Sequence, residues 1–382
     1  MGRLPCSVHP GPLPVGGRTL TLACTIDADA LTAAVKMVAR VAPARPHQPV
    51  LAGVRLEVAG DRLMMAATNL DTSMTTSLAV TGDGDGVAVV DARRLASAAA
   101  MLSGQAVLGC DDGTVTLRAG RSSYAMGTYP VAEFPHLPAV GEGVTVDGPT
   151  LLTALSGVVA AASADLSRPI LCSVRVAIED GRVTLAATDS YRLHTATLDL
   201  GGWAPPSELL LPALSVAELV RLDHDGPVDL AMAADHHVSF SAGLTTLTTT
   251  LVAGSFPDHH ALIDNNRPES VVTVDSDDLT AALRRASWAA SKAGLRLTFS
   301  AGRLLIEGQA DDGSTSTDET DVDGDASVVI GMRPSYLADA IAAVSSPRVS
   351  IGLLDQLRPV TIRPEPCDGS RLALVMPIRL TT

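Results

Sequence analysis

Residues 49–69, PVLAGVRLEVAGDRLMMAATN, return without a gap 120 positions later as residues 169–189, PILCSVRVAIEDGRVTLAATD. Both copies alternate apolar and polar side chains around a Gly-containing turn, the pattern of a β-hairpin with one buried face. A third copy runs from Leu295-Arg296-Leu297 through Gly302-Arg303-Leu304. Ahead of each hairpin stands a second repeat. Thr25-Ile26-Asp27 is followed by Leu31 and Ala34, Thr145-Val146-Asp147 by Leu151 and Ala154, and Thr273-Val274-Asp275 by Leu279 and Ala282. In each, a β-branched residue leads into an Asp, and apolar residues then recur at helical spacing. An Asp there accepts the orphan backbone N–H groups of a helix start, so each copy reads as strand end, cap and amphipathic helix.

Further helices are expected over 92–103, 213–222 and 334–344, with strand-like runs after them, such as 227–233 with 237–241 and 348–353 with 359–363. The fold class is therefore α+β, three repeated domains that each pack two helices on antiparallel sheets. The joints are expected near 140–144 and 265–270, after Phe134-Pro135 and Phe256-Pro257, because proline cannot continue a central strand. This gives domains at 19–143, 144–268 and 269–382. Residues 1–18, with four prolines and four glycines and no continuous apolar run, read as a flexible N-terminal extension and not as a signal peptide.

The 382 residues carry a formal net charge of −14 with 18% charged side chains, which argues against a surface given over to nucleic acid while leaving room for a local basic channel. Aromatics are 3% of the chain, so the cores must be aliphatic. Five scattered cysteines (Cys6, Cys24, Cys110, Cys172, Cys367) form no CxxC pair. Neither a disulfide framework nor a zinc knuckle is indicated, and a reducing, cytoplasmic setting is the simpler reading. No stretch approaches the ~20 apolar residues of a membrane span. No P-loop, GxSxG or HExxH string occurs, so no enzyme chemistry, metal or cofactor is expected. Asp321-x-Asp323-Gly324-Asp325 has its glycine misplaced for a calcium loop and lacks the closing Glu. The run 82–86 reads as a hairpin turn. The pairs His236-His237 and His259-His260, if on strands, point to opposite faces. A hydrolase or metal enzyme built on these His and Asp residues is the reading that bound metal would revive.

Ala187-Thr188-Asp189-Ser190-Tyr191-Arg192-Leu193, Ser255-Phe256-Pro257-Asp258 and the terminal Val375-Met376-Pro377-Ile378-Arg379-Leu380 together resemble the β subunit of bacterial DNA polymerase III, the DNA sliding clamp. The resemblance spans about residues 19–382. It implies clamp domains, two subunits closing head to tail into a homodimeric ring, and a hole for duplex DNA lined by helices. Such a ring is a processivity factor in DNA replication, opened by a loader and catalysing nothing itself.

The resemblance also implies a pocket for short linear peptides of DNA polymerase, clamp loader and repair proteins. Its matching positions are Leu171, Thr188, Tyr191, Arg192, Leu193, Pro257, Leu262, Tyr336, Leu357, Leu374, Val375, Met376, Pro377, Ile378 and Arg379. Aliphatic and Met side chains make an adaptable floor, and Tyr191 and Arg192 are anchors of the type enriched in hot spots. The bland alternative is that Leu193 and Val375 are ordinary strand-core residues. Ala261 stands where the family often has a polar or basic side chain, and the loop 291–294 is short. A groove of this size binds at about micromolar strength, roughly −8 kcal/mol.

For double-stranded DNA, Lys36, Arg40, Arg93, Arg94, Arg221, Arg284, Arg285 and Lys292 lie on or beside the expected helices and supply sequence-blind phosphate attraction. Some of them also read as plain solvated helix faces, and the helix expected over 150–163 carries no Lys or Arg. Ring closure is expected to use Tyr124 and Met126 from domain one and Trp288 from domain three, with simple core burial the alternative for the Trp. Asp318 and Glu319 are expected to meet Arg118 or Arg121 across the joint and to set register more than affinity. Ala261, the N-terminal extension and the scarcity of lysine (Lys36 and Lys292) leave a second reading, a divergent clamp paralogue with altered partner peptides and a specialised role.

Overall fold

Asp27, Asp147 and Asp275 each cap a helix. In the computed structural model, which describes residues 22–200, 208–222, 224–233, 236–291 and 294–380, Asp27 accepts from the N–H groups of Asp29 and Ala30, Asp147 from that of Thr150, and Asp275 from those of Asp277 and Asp278. The helices of the described residues are α1 (Ala28–Val38), α2 (Ala92–Ala99), α3 (Gly148–Val159), α4 (Ala213–Val220), α5 (His260–Asp264), α6 (Ser276–Ala286) and α7 (Pro334–Val344). The expected helices over 92–103 and 213–222 end a few residues early. Residues 1–18 lie outside the described residues.

The described residues form two compact units, one from those up to Val144 with those of Asp229–Thr250, the other from those of Thr145–Val228 with those from Leu251 on. In the first, strands run in the order His237–Ala242, Thr245–Thr250, Thr72–Ala79, Arg62–Thr68, Gly53–Ala59, Gly86–Asp91, Ser122–Tyr129, Thr114–Ala119, Gln105–Asp111, Ala23–Asp27 and Thr81–Gly84. Helices α1 and α2 pack on each other and on this sheet. Leu31, Val35, Leu56, Leu63, Met65, Met74 and Leu95 are fully buried there, an aliphatic core of the kind the composition demands.

The second unit has an eight-stranded sheet in the order Leu209–Pro212, Ser173–Glu179, Arg182–Thr188, Arg192–Leu198, Arg371–Val375, Val360–Pro364, Arg348–Leu353 and Ser270–Asp275. A four-stranded sheet follows the order Thr315–Asp321, Arg303–Gln309, Leu295–Ser300 and Val328–Met332. Helices α3 and α7 cross over the eight-stranded sheet. Gly157 permits the crossing, since a Cβ there would lie 2.9 Å from the Ala343 carbonyl oxygen.

Three local expectations are corrected. Pro49–Ala52 and Pro169–Cys172, which open the repeated hairpins, are 3-10 turns with proline in the first turn, where its missing N–H costs nothing. Residues Thr81–Gly84 are a short edge strand paired with Ala23–Asp27, and not a hairpin turn. His259 is the N-cap of α5, so its ring sits 4.3 Å from that of His260 instead of across a strand. Among the described residues no group of three His, Cys, Asp or Glu is placed to hold a metal, and no helix is long and apolar enough to cross a membrane.

Candidate peptide crevice and DNA face

The segment Thr188–Leu193 is shaped by its own side chains. The Asp189 Oδ1 accepts from the N–H groups of Tyr191 (2.8 Å) and Arg192 (3.0 Å). The Thr188 hydroxyl accepts from the Ser190 N–H (3.1 Å) and donates to the Arg192 carbonyl (2.6 Å). Ser190 consequently sits at φ +80°. Thr and Asp are the residues that form such local side-chain turns. The turn sends Tyr191 outward, 58% exposed.

Arg192 points the other way, to α7. Its guanidinium bonds Asp189 (3.1 Å) and Asp339 (2.5 Å) and lies 4.3 Å from the centre of the Tyr336 ring. Arg333 stands 5.3 Å from that ring and 6.0 Å from the ring of Tyr191. Tyr191, Arg333, Tyr336 and Arg192 thus form an alternating stack of rings and cations. Arg333 and Asp339 escaped the sequence reading. Their one local signal is position, Arg333 as the residue before Pro334 that caps α7.

The chain end completes the sheet. Arg192 pairs with Val375 and Leu193 with Leu374, and the Met376 N–H donates to the Tyr191 carbonyl (2.8 Å). Because strand side chains alternate, Leu193 and Leu374 face a cluster with Ala186, Leu210, Phe256 and Leu372, whereas Val375 faces the core beneath α7. Leu193, Leu374 and Val375 are all buried, so they serve as floor and core and present no contact surface. Thr188, Leu171, Tyr336, Met376, Pro377 and Ile378 are half-buried, and Pro257 and Arg379 exposed.

Phe256 seals the cluster, and its N–H donates to Glu208 (3.1 Å). Arg175 bridges Glu208 and Glu179, and Glu179 accepts from His260 (3.0 Å). Beside it, burial and then the neighbouring His260 hold the His259 imidazole below its ordinary range. Ile263 of α5 packs on the same cluster, leaving Leu262 exposed. Asn266 then donates to the Pro359 carbonyl (2.9 Å), which ties α5 to the turn bearing the exposed Leu357. Tyr191 and Leu262 are therefore exposed apolar residues on segments that rest on one buried floor, and Leu357 is a third on a turn held to the end of α5 by Asn266.

Under the crossing of α3 and α7, His194 is fully buried and bonds the Gly157 carbonyl (2.9 Å), one of the orphan acceptors at the end of α3. Burial pushes its imidazole down to about 4. The neutral ring therefore donates from Nδ1 and keeps an unpartnered Nε2 inside.

The expected cations differ in freedom. Lys36, Arg40, Arg93, Arg94, Arg221, Arg284 and Arg285 are all exposed on or next to α1, α2, α4 and α6, while Lys292 lies outside the described residues. Arg221 is paired with Glu218 and Arg285 with Asp318 (2.5 Å), and Arg40 is engaged as well. Asp318 and Glu319, expected to meet Arg118 or Arg121, are thus engaged by Arg285 and Arg303 of their own unit. A groove of about 390 Å³ between α3, α4 and α7 is lined by Asp225, Asp339 and His224 and by no Lys or Arg. Of the expected interface residues, Trp288 is 76% exposed and Tyr124 half-buried, but Met126 is buried against its own sheet, where it pairs with Val115.

The descriptions of the DNA polymerase III beta subunit match the chain in three successive pieces, the N-terminal domain over residues 22–138, the central domain over 145–258 and the C-terminal domain over 265–379. The chain belongs to the DNA polymerase III beta subunit family. A beta sliding clamp of Streptomyces coelicolor is 29% identical over 93% of this chain and 99% of its own length, and one of Micrococcus luteus is 32% identical over 76% and 96%. The crystal structure of a beta sliding clamp of C. crescentus superposes with a TM-score of 0.85 at 26% identity, covering 95% of this chain and all of that one. The fold is that of three clamp domains of helices and antiparallel sheet, and the chain is a DNA sliding clamp, a replication processivity factor and not an enzyme. The relatives do not favour the divergent paralogue.

Proposed function

We propose that two copies of this clamp close head to tail around duplex DNA in the cytoplasm, with domains at 19–143, 144–268 and 269–382. In this reading partner proteins dock short linear peptides at Tyr191, Leu262 and Leu357. The observation that carries ring closure is the exposed Trp288 in the unit that also ends in the polar edge strand Thr315–Asp321. In the other unit, Ser122–Tyr129 pairs with Gly86–Asp91 only at its Thr128–Tyr129 end, so the rest of that edge is open. Open edges invite strand addition, and an exposed Trp is a natural interface anchor.

The exposed cations of α1, α2 and α6 supply salt-sensitive phosphate attraction, while the groove beneath α3 and α7 adds none. The peptide reading is supported by the exposed apolar rim over the Leu193–Leu374–Phe256 floor, with the ring-and-cation stack setting one wall. The native mass and retention on DNA test the assembly together. A dimer that stays on nicked circular DNA and leaves once the circle is cut is expected, and a Trp288→Ala chain is expected to shift toward monomer. A chain that is monomeric at every concentration sinks the ring.

A further inference from the structure

The turn Thr188–Leu193 has a twin in the first unit. Thr68 accepts from the Leu70 N–H (3.0 Å) and donates to the Thr72 carbonyl (3.0 Å). Asn69 accepts from the N–H groups of Asp71 (3.1 Å) and Thr72 (2.7 Å). Leu70 sits at φ +82°, against +80° at Ser190. The Thr250 N–H donates to the Asp71 carbonyl at 2.8 Å, as the Met376 N–H does to that of Tyr191. Phe134 is buried here as Phe256 is in the other unit.

Beside this turn lies a cavity of about 290 Å³, lined among others by Leu70, Asp71, Pro135, His136, Leu137 and His237. Leu70 is 55% exposed in a left-handed conformation. An apolar side chain held out in water on a strained backbone is the kind of outlier found at ligand clamps. The volume is at the small end of ligand clefts, of order 300 Å³, so it suits a few side chains and not a large cofactor. Asp71 is exposed where Tyr191 stands in the twin, its carboxylate holds no salt bridge, and no Lys or Arg lines the cavity. Phosphate is disfavoured there and a cation favoured.

We propose that this crevice is a second docking site, for a short extended peptide of a partner protein that carries an aliphatic side chain beside an arginine or lysine. The proposal rests on reading the Tyr191 crevice as a peptide site, and it differs from that site in charge preference. The test uses two fluorescein-labelled peptides, GRLPLG and GELPLG, followed by fluorescence anisotropy with the full chain at low salt. GRLPLG is expected to bind, to weaken about ten-fold in Asp71→Lys, to weaken also in Leu70→Gly, which relieves the backbone, and to be unchanged in Tyr191→Ala. GELPLG, repelled by Asp71, is expected instead to lose its binding in Tyr191→Ala and to be unchanged in Leu70→Gly. Indifference to Asp71→Lys, no binding at about 1 mM, or loss in Tyr191→Ala alone overturns the second site. Retained GRLPLG binding with every peptide indifferent to Tyr191→Ala supports this site and removes the Tyr191 reading instead.

Discussion

The turns Thr68–Ser73 and Thr188–Leu193 share a backbone and differ in what they hold. Their four side-chain-to-backbone bonds are the same, and both residues at the third position have φ near +80°. Yet the strand that leaves the first turn carries Thr72 and Met74 toward its helix, and the strand that leaves the second carries Arg192 and His194. Thr72 meets Thr249 of the neighbouring strand (3.3 Å), and Met74 is simply buried. Arg192 binds two carboxylates and a ring, and His194 a helix carbonyl. A local hydrogen-bonding motif thus repeats the fold, while the residues just after it make one junction ionic and the other uncharged.

The largest effect that separates the two junctions is expected at Arg192. Its side chain is 11% exposed and faces Asp189, also 11% exposed, and Asp339. Removing one partner from a mostly buried ion network leaves an uncompensated charge and costs about 4 kcal/mol. Arg192→Ala should lose that much in urea unfolding, whereas Thr72→Ala at the matching position should lose about 1 kcal/mol. Equal losses at the two sites would show that Arg192 adds nothing to the junction.

The second effect is a pH dependence that one junction has and the other lacks. The folded value of His194, about 4, lies below the ~6.5 of an unfolded histidine. On acidification the unfolded chain takes up this proton first, so stability present above about pH 6.5 falls as the pH drops toward 4, by roughly 3 kcal/mol in all. His194→Met copies the residue at position 74. It should be less stable at neutral pH, because the Gly157 carbonyl loses its donor, and should lack the part of the acid loss owed to His194. A slope between pH 6.5 and 4 that is unchanged in the variant would place the titration elsewhere, with the buried His259 as the next source.

Local signals explain what the sequence makes readable. Asp27, Asp147 and Asp275 are caps because a cap needs only its own first turn, and the alternation of 53–59 and 173–179 marks strands because one face is buried. The Thr-Asp-x-x-Arg-Leu string marks the second turn, but its twin reads Thr-Asn-Leu-Asp-Thr-Ser, with the same Thr and Asx chemistry and none of the recognisable side chains. Arg333 is illegible for a different reason: its importance lies in Tyr191, far off in sequence and near only after folding. Alternation gives a face without saying what covers it. That is why Leu193 and Val375 read equally well as pocket contacts and as core, and only their burial in the folded chain decides for core.

The smallest expected difference is the one between the turns themselves. Thr68→Val and Thr188→Val each remove a hydroxyl that accepts one backbone N–H and donates to one carbonyl. Losing such a pair leaves polar groups short of partners and costs about 1–2 kcal/mol. If the turn is a common scaffold, the two losses should agree to within about 0.5 kcal/mol, and a double variant should be additive because the sites share no partner. Thr68 is 3% exposed and Thr188 half-buried, so any inequality should make the first turn the costlier, since water can reach the orphaned groups of the second. A larger loss at Thr188 would mean that its turn also carries the Arg192 network, and that the two junctions differ in their backbones as well as in their side chains.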